Sequence, residues 1–400
     1  MTDAAIDRRR TNGRREGDGA IPVAVVPREA DIFALLRSEG PLSRQDLHRR
    51  TGWRPNTVGM VADQMIKRGL LREGAAVSSG PGRPARPLEI DPARRHVLGL
   101  MLGSEKVSTC ALNLHGMPIG TTRVQDVLAG SPVEVATSML AEADTSSLIA
   151  LGVSVPGLFD ESSRRLLLSS VNPGGATTSL QPLFDVIGET PILLGNCTQN
   201  LAVRWALARD VRPSGLVLLV HARDGALGAS ALLDGRPIHG CVRSDWNLGH
   251  TTLPVETEVC YCGQVGCVER VFSTPYYRKQ PGAIRGATLH EAILQYQGDD
   301  PALEHVTELF AMAIGNSISQ LGPHHFVFSS NFNTATRYVN HLIARVRHHT
   351  MPVLADRYRV DLWDMPTVDF AHAAAWLALG SLQGLLSDRA TPRSQAVSGG

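Results

Sequence analysis

Three cysteines, Cys260, Cys262 and Cys267, fall within eight residues and are threaded with Gly263 and Gly266. A loop that short, turned by glycines, brings three thiolates toward one centre, and His250 supplies a fourth donor from upstream. Three sulfurs and one imidazole nitrogen are the donor set of tetrahedral zinc. Four protein ligands leave no open position for water, so the expectation is a structural zinc and not a catalytic one. The competing reading is three partly buried free thiols and a surface histidine. The chain's six cysteines are unevenly spread, which suits a reduced compartment with a metal site better than a disulfide framework.

The chain has 400 residues, 43% hydrophobic, 19% charged and 5% aromatic, enough for roughly two to three domains with large cores. No apolar run reaches the ~18 residues of a membrane span, and the expectation is a soluble, cytoplasmic protein with no membrane association. The opening stretch carries Arg8, Arg9, Arg10, Arg14 and Arg15 with no apolar segment behind them, which excludes a secretory signal. Residues 1–24 and 388–400 have the composition of disordered tails. Charge is divided unequally: through Arg95 there are 18 Lys and Arg against 12 Asp and Glu, and after it 21 against 26. A basic front ahead of an acidic body points weakly to a polyanionic partner for the front.

Residues 25–95 read as a winged helix-turn-helix. Ile32, Phe33, Leu35 and Leu36 form the apolar stripe of a first helix ended by Gly40-Pro41. Ser43 offers an N-cap with Asp46 three residues on, close to a capping box, and Leu47 faces inward. Thr51-Gly52-Trp53 makes the turn, Pro55 opens a third helix, and Val58, Val61 and Met65 share one face of it. Leu70-Leu71 and Leu88-Glu89-Ile90 read as strands flanking a Gly/Ser/Arg/Pro wing. A helix of this kind enters the major groove N-terminus first, so Arg54, Asn56 and Thr57 are the candidate base readers. Phosphate contact or capping is the alternative for each. Ser43, Arg44, Lys67 and Arg68 read as phosphate contacts or solvated charges. Arg83 and Arg86, stiffened by Pro84 and Pro87, are the candidates for minor-groove or backbone contact. One such helix reads too few base pairs for genomic selectivity. A homodimer or tetramer on a pseudo-palindromic double-stranded operator is therefore expected.

Residues 96–387 alternate strand-like runs at 98–102, 148–155, 192–194, 216–220 and 326–328 with amphipathic stretches, the pattern of an α/β body. The strand-rich openings at Leu98 and Leu216 suit a duplicated two-lobe architecture.

Within this body, Val153-Ser154-Val155-Pro156-Gly157, Leu233-Asp234-Gly235 and above all the segment from Cys260 to Glu269 resemble the ROK family, which groups bacterial sugar kinases with sugar-responsive repressors. The likeness spans residues 28–386, and Gly82-Arg83-Pro84 in the wing is similar to the repressor branch. It implies a winged helix followed by a two-lobe actin-like (ribonuclease H-like) sugar-kinase fold. It also shows what this chain lacks. The family's Gly-x-Asp-x-Gly-Gly-Thr phosphate loop matches residues 99–105, where the Asp is Met101 and Glu105 brings negative charge. The Glu-Asn-Asp segment that carries the catalytic base matches Gly195-Asn196-Cys197. The second phosphate loop is Asp224-Gly225-Ala226-Leu227-Gly228, and the Gly-Gly near the adenosine site is Ser329-Ser330. Losing a positioned base alone costs about 10²–10⁴ in rate, so no enzymatic activity and no catalytic residue is expected.

The resemblance further implies sugar-binding roles for Asn172, Asn196, His250 and Glu269. Two carboxylates of that set are replaced, by Cys197 and by Asn247, which puts an ordinary hexose in doubt. Two readings stay open: a different small-molecule effector, or a body that serves only as a dimerisation platform. The expected function is transcriptional regulation, repression foremost. The alternatives are an active sugar kinase with atypical motifs and a structural protein.

Overall fold

The computed structural model describes residues 27–76, 86–128, 130–169, 177–208, 214–238, 246–364 and 369–384. The expected tails, Arg83 in the wing and Asn172 lie outside the described residues. The chain is mixed α/β, with three short helices and a two-stranded sheet ahead of two five-stranded sheets.

The first unit follows its local signals closely. Helix α1 (Pro27–Glu39) buries Ile32, Phe33 and Leu36, while Leu35 is only half-buried. Helix α2 (Arg44–Thr51) starts at a complete capping box: the Ser43 hydroxyl accepts from the Asp46 amide and the Asp46 carboxylate accepts from the Ser43 amide. Gly52 ends it in the left-handed region at φ 70°, where a side chain would be strained. Pro55 opens helix α3 (Pro55–Lys67), which buries Val58, Val61 and Met65. Strands β1 (Leu71–Glu73) and β2 (Leu88–Ile90) pair antiparallel with Leu71 opposite Ile90, and Leu42 bridges to Leu88.

The first lobe runs β3 (His96–Leu102), β4 (Lys106–Asn113), β5 (Pro118–Asp126), α4 (Pro132–Ala141), β6 (Leu148–Val155), β7 (Leu158–Asp160), β8 (Arg165–Leu168), β9 (Thr178–Ser179), α5 (Gln181–Ile187), β10 (Ile192–Asn196) and α6 (Cys197–Leu207). The second runs β11 (Leu216–Arg223), β12 (Ala226–Leu233), β13 (Arg236–Pro237), a helical turn at Leu248–His250, α7 (Val268–Val271), α8 (Thr274–Lys279), α9 (Leu289–Leu294), α10 (Pro301–Leu321), β14 (His325–Ser330), α11 (Thr336–His349), β15 (Arg359–Asp364) and α12 (Asp369–Leu382).

The two main sheets have one plan. Their strand orders are β5-β4-β3-β6-β10 and β13-β12-β11-β14-β15. In each, an opening antiparallel hairpin is followed by two parallel strands reached through helices. The duplicated two-lobe expectation is therefore met in topology. Central strands such as β6, Leu148–Val155, read as unbroken apolar runs because both faces are covered.

The lobes exchange their last helices. α12, from the second lobe, packs on β3, β4 and β6 of the first, while α6 packs on β11, β12 and β13 of the second; the two helices also pack on each other. Bare strand backbone permits the first contact. A Cβ on Gly99 would lie 1.9 Å from the Ala371 carbonyl oxygen, and one on Gly152 would lie 1.8 Å from that of Ala374. Gly99, the first glycine of the degenerate phosphate loop, is thus required by helix packing.

The N-terminal unit is fused to this body. One buried cluster runs from Ile32, Phe33 and Leu36 through Leu88 and Ile90 into Val97, Leu112, Trp376 and Leu382. Arg37 of α1 lies 4.8 Å over the Trp376 ring and donates to the Leu207 carbonyl at 3.4 Å, so one side chain touches both exchanged helices. Arg95 donates to the Arg68 carbonyl at the end of α3 (3.0 Å) and to the Ser146 carbonyl ahead of β6 (3.2 Å).

Candidate metal centre, ligand cleft and DNA-reading face

The cysteine loop folds as its glycines demand. Gly263 and Gly266 adopt φ 90° and 83°, and a Cβ on Gly266 would meet the Leu253 carbonyl oxygen at 2.3 Å. The Gly263 amide donates to the Cys260 carbonyl and the Cys260 amide to the Gln264 carbonyl, both at 2.8 Å, closing a tight turn. A bridge between Thr252 and Cys267 then brings the ends together beside the turn bearing His250. The four donor atoms of His250, Cys260, Cys262 and Cys267 all lie within 4.8 Å of one another.

Cys260 Sγ is 3.6 Å from His250 Nδ1, and Cys262 Sγ is 3.5 Å from Cys267 Sγ. A tetrahedral centre with metal–sulfur bonds of ~2.3 Å has edges of ~3.8 Å, so the donor set fits a metal ion. Burial pushes the thiols of Cys260 and Cys267 up, and burial, then Arg270, pushes the His250 imidazole down. A divalent cation at the centre supplies the charge that binds such thiols as thiolates. His250 Nε2 is engaged by the Tyr261 hydroxyl at 3.1 Å. Both ring nitrogens of His250 therefore have partners within the loop.

Of the residues that the resemblance assigns to a sugar, Asn196, His250 and Glu269 are described. Glu269 is buried, accepts from the Leu227 amide at 3.2 Å, and has its carboxyl pushed up to about 7 by burial. Asn196 caps α6: its Oδ1 accepts from the Thr198 amide at 3.0 Å and its Nδ2 donates to the Gly157 carbonyl at 2.8 Å.

Cys197, where the likeness places the base, is buried with its Sγ 3.6 Å from Met101 Sδ. Two positions at which this chain departs from the kinase motifs thus pack on each other. In the second lobe, His221 Nδ1 of β11 and the Ser329 hydroxyl of β14 are 3.1 Å apart, and burial, then Arg223, pushes the His221 imidazole down to about 3. Sequence reasoning passed over His221 and Arg223. Their only signal is that two cationic residue types sit two apart near the end of an apolar strand.

On α3, Arg54 and Asn56 are exposed and Thr57 is half-buried; Met60 is 62% exposed one turn further along the same face. Arg54 occupies the N-cap without a side-chain capping bond, which leaves its guanidinium to the surface. Arg86 is exposed and 3.9 Å from Glu73. Of the other basic candidates, Arg44 pairs with Asp63 and Glu73 at 2.8 Å each, Arg68 pairs with the buried Glu29, and Lys67 is exposed. Ser43 is consumed by its cap.

No helix among the described residues is long and apolar enough to cross a membrane. The chain is similar over 275 residues, at 24% identity, to the DNA-binding transcriptional dual regulator NagC of Escherichia coli, the match covering 65% of this chain and 66% of that protein. The chain thus spans just under two thirds of the length of that relative. It is also 26% identical over 238 residues to an N-acetyl-D-glucosamine kinase of Citrobacter koseri, covering 54% of this chain and 76% of the kinase. A crystal structure of a ROK family transcriptional regulator, a homolog of the E. coli MLC protein, superposes with a TM-score of 0.72 at 20% identity, covering 90% of this chain and 97% of that one. It carries the same fold. The family model described as ROK matches residues 97–376, more than half of the chain, and the protein therefore belongs to the ROK family.

Proposed function

We propose that the protein is a sequence-specific DNA-binding transcriptional regulator, a repressor foremost, whose kinase-like body is not an enzyme. The observation that carries this reading is the recognition helix: Arg54 and Asn56 stand exposed at the N-terminus of a capped helix-turn-helix, while the body has Cys197 packed on Met101 where a base would act. Asn56 can pair in bidentate fashion with adenine, Arg54 with guanine, and Thr57 and Met60 can touch a thymine methyl. Arg83 and Arg86 take the backbone or minor groove. The protein works in the cytoplasm as a homodimer or tetramer on a pseudo-palindromic operator.

His250, Cys260, Cys262 and Cys267 hold a structural zinc, which cross-links the loop behind the cleft. Asn172, Asn196, His250 and Glu269 serve an effector, in a cleft between the lobes. A signal from it reaches the reader by α6 and α12, whose later turns meet Arg37. NagC, by its name, is a DNA-binding regulator, and that supports this assignment.

A gel-shift assay against the DNA upstream of the chain's own coding region tests the reading. A retarded band that weakens with salt and with Asn56→Ala is expected. Absence of specific binding, or phosphorylation of a hexose by ATP, overturns it.

A further inference from the structure

The end of β11 carries two side-chain nitrogens with nothing to bond. Arg223 Nε and His221 Nε2 are both sealed from solvent, and neither has a hydrogen-bond partner. The two residues alternate along the strand and so share a face, and both lie against one ring: Phe370, at the start of α12, has the Arg223 guanidinium 5.2 Å and the His221 imidazole 5.3 Å from its centroid. Arg223 as a residue keeps partial exposure, so a small molecule can reach it.

A buried guanidinium is ordinarily paired, because an uncompensated charge in a dry site is costly. Here the obvious carboxylate is turned away. Both oxygens of the adjacent Asp224 are taken by Thr274, one by its amide at 2.7 Å and the other by its hydroxyl. Among the described residues, the ionisable group that favours the Arg223 charge is the Cys197 thiol. Cys197 is also the first residue of α6, an 11-residue helix, so the positive end of that helix reaches the same place.

We propose that the cleft takes a small molecule bearing an oxyanion, a phosphate monoester or a carboxylate, and that Arg223 receives that group beside the N-terminus of α6. The proposal rests on the reading of the cleft as an effector site and names the chemical class. The ring of Phe370 and the α6 terminus then sense the anion directly, and these are the starts of the two helices that meet Arg37.

The test melts the full-length, metal-loaded protein at constant ionic strength, with inorganic phosphate or acetate replacing part of the chloride. At about five times the dissociation constant, the anion of the right class raises the melting temperature by ~2–4 °C. A response to phosphate alone assigns a phosphate group, and a response to acetate alone assigns a carboxylate. Arg223→Met removes the shift and, lacking a buried unpaired charge, melts no lower than the parent without anion. Cys197→Asp places a carboxylate beside Arg223 and also abolishes the shift, which decides the matter if Arg223→Met does not fold. No response to either anion, or an undiminished response in these variants, overturns the proposal. The measurement contains no DNA, so a protein that shifts DNA and ignores anions loses this inference alone.

Discussion

The two lobes share a strand plan and are held together by different means. The first is closed by backbone contact: α12 lies on glycine-bearing strands, at Gly99 and Gly152, with no side chain between. The second is built on an aromatic cluster, Phe272, Phe310, Phe326, Phe328, Phe332 and Tyr338, with the four-donor loop at its edge. The difference extends to the cleft. In the first lobe the positions where the likeness places kinase residues pack on each other, Met101 on Cys197, whereas the second lobe presents polar groups sealed from solvent in His221, Arg223 and Glu269.

The strongest way to break this comparison is to disable the proposed zinc site of the second lobe. Cys267→Ser should abolish bound zinc and cost several kcal/mol, out of the ~10–16 kcal/mol that closed sites supply to small zinc domains. Hydrogen exchange should rise in 246–272 and stay unchanged in β3 and β6; equal loosening of both lobes would show that they do not differ. The corresponding insult to the first lobe is Gly152→Ala, whose methyl has no space against Ala374. A loss of ~3 kcal/mol is expected in chemical denaturation with zinc content unchanged.

Arg37→Ala sharpens the comparison, since Arg37 reaches both Leu207 of the first lobe's α6 and Trp376 of the second lobe's α12. It should leave operator affinity of the free protein within about threefold while reducing the effector's influence on that affinity, a coupling of typically ~1–3 kcal/mol. Titration of operator with and without effector reads it. The reader itself stands apart: Asn56→Ala should cost ~1–3 kcal/mol of operator binding with no change in melting temperature. Smallest is Arg44→Ala. Its exposed pairs with Asp63 and Glu73 are worth ~0–1 kcal/mol of stability, and operator affinity should hardly move.

What could be read from the chain alone was local. Ser43, Gly52 and Pro55 specify a helix-turn-helix because caps and turns act within three or four residues. Cys260, Cys262, Gly263, Gly266 and Cys267 specify a metal loop for the same reason. The replacement of a base by Cys197 was equally plain, because it is a matter of residue identity. What only the tertiary structure decided depends on partners far apart in sequence. Arg44 and Arg68 looked like phosphate contacts until the fold set them beside Glu73 and Glu29, 29 and 39 residues away. Gly99 looked like part of a phosphate loop until α12, from the far end of the chain, was laid on it. Arg223 looked like nothing at all, since its meaning lies in the partner it lacks. Spacing along a chain encodes neighbours on one helix or one turn; whether a charge is paired, spent or waiting is settled by what the rest of the fold brings to it.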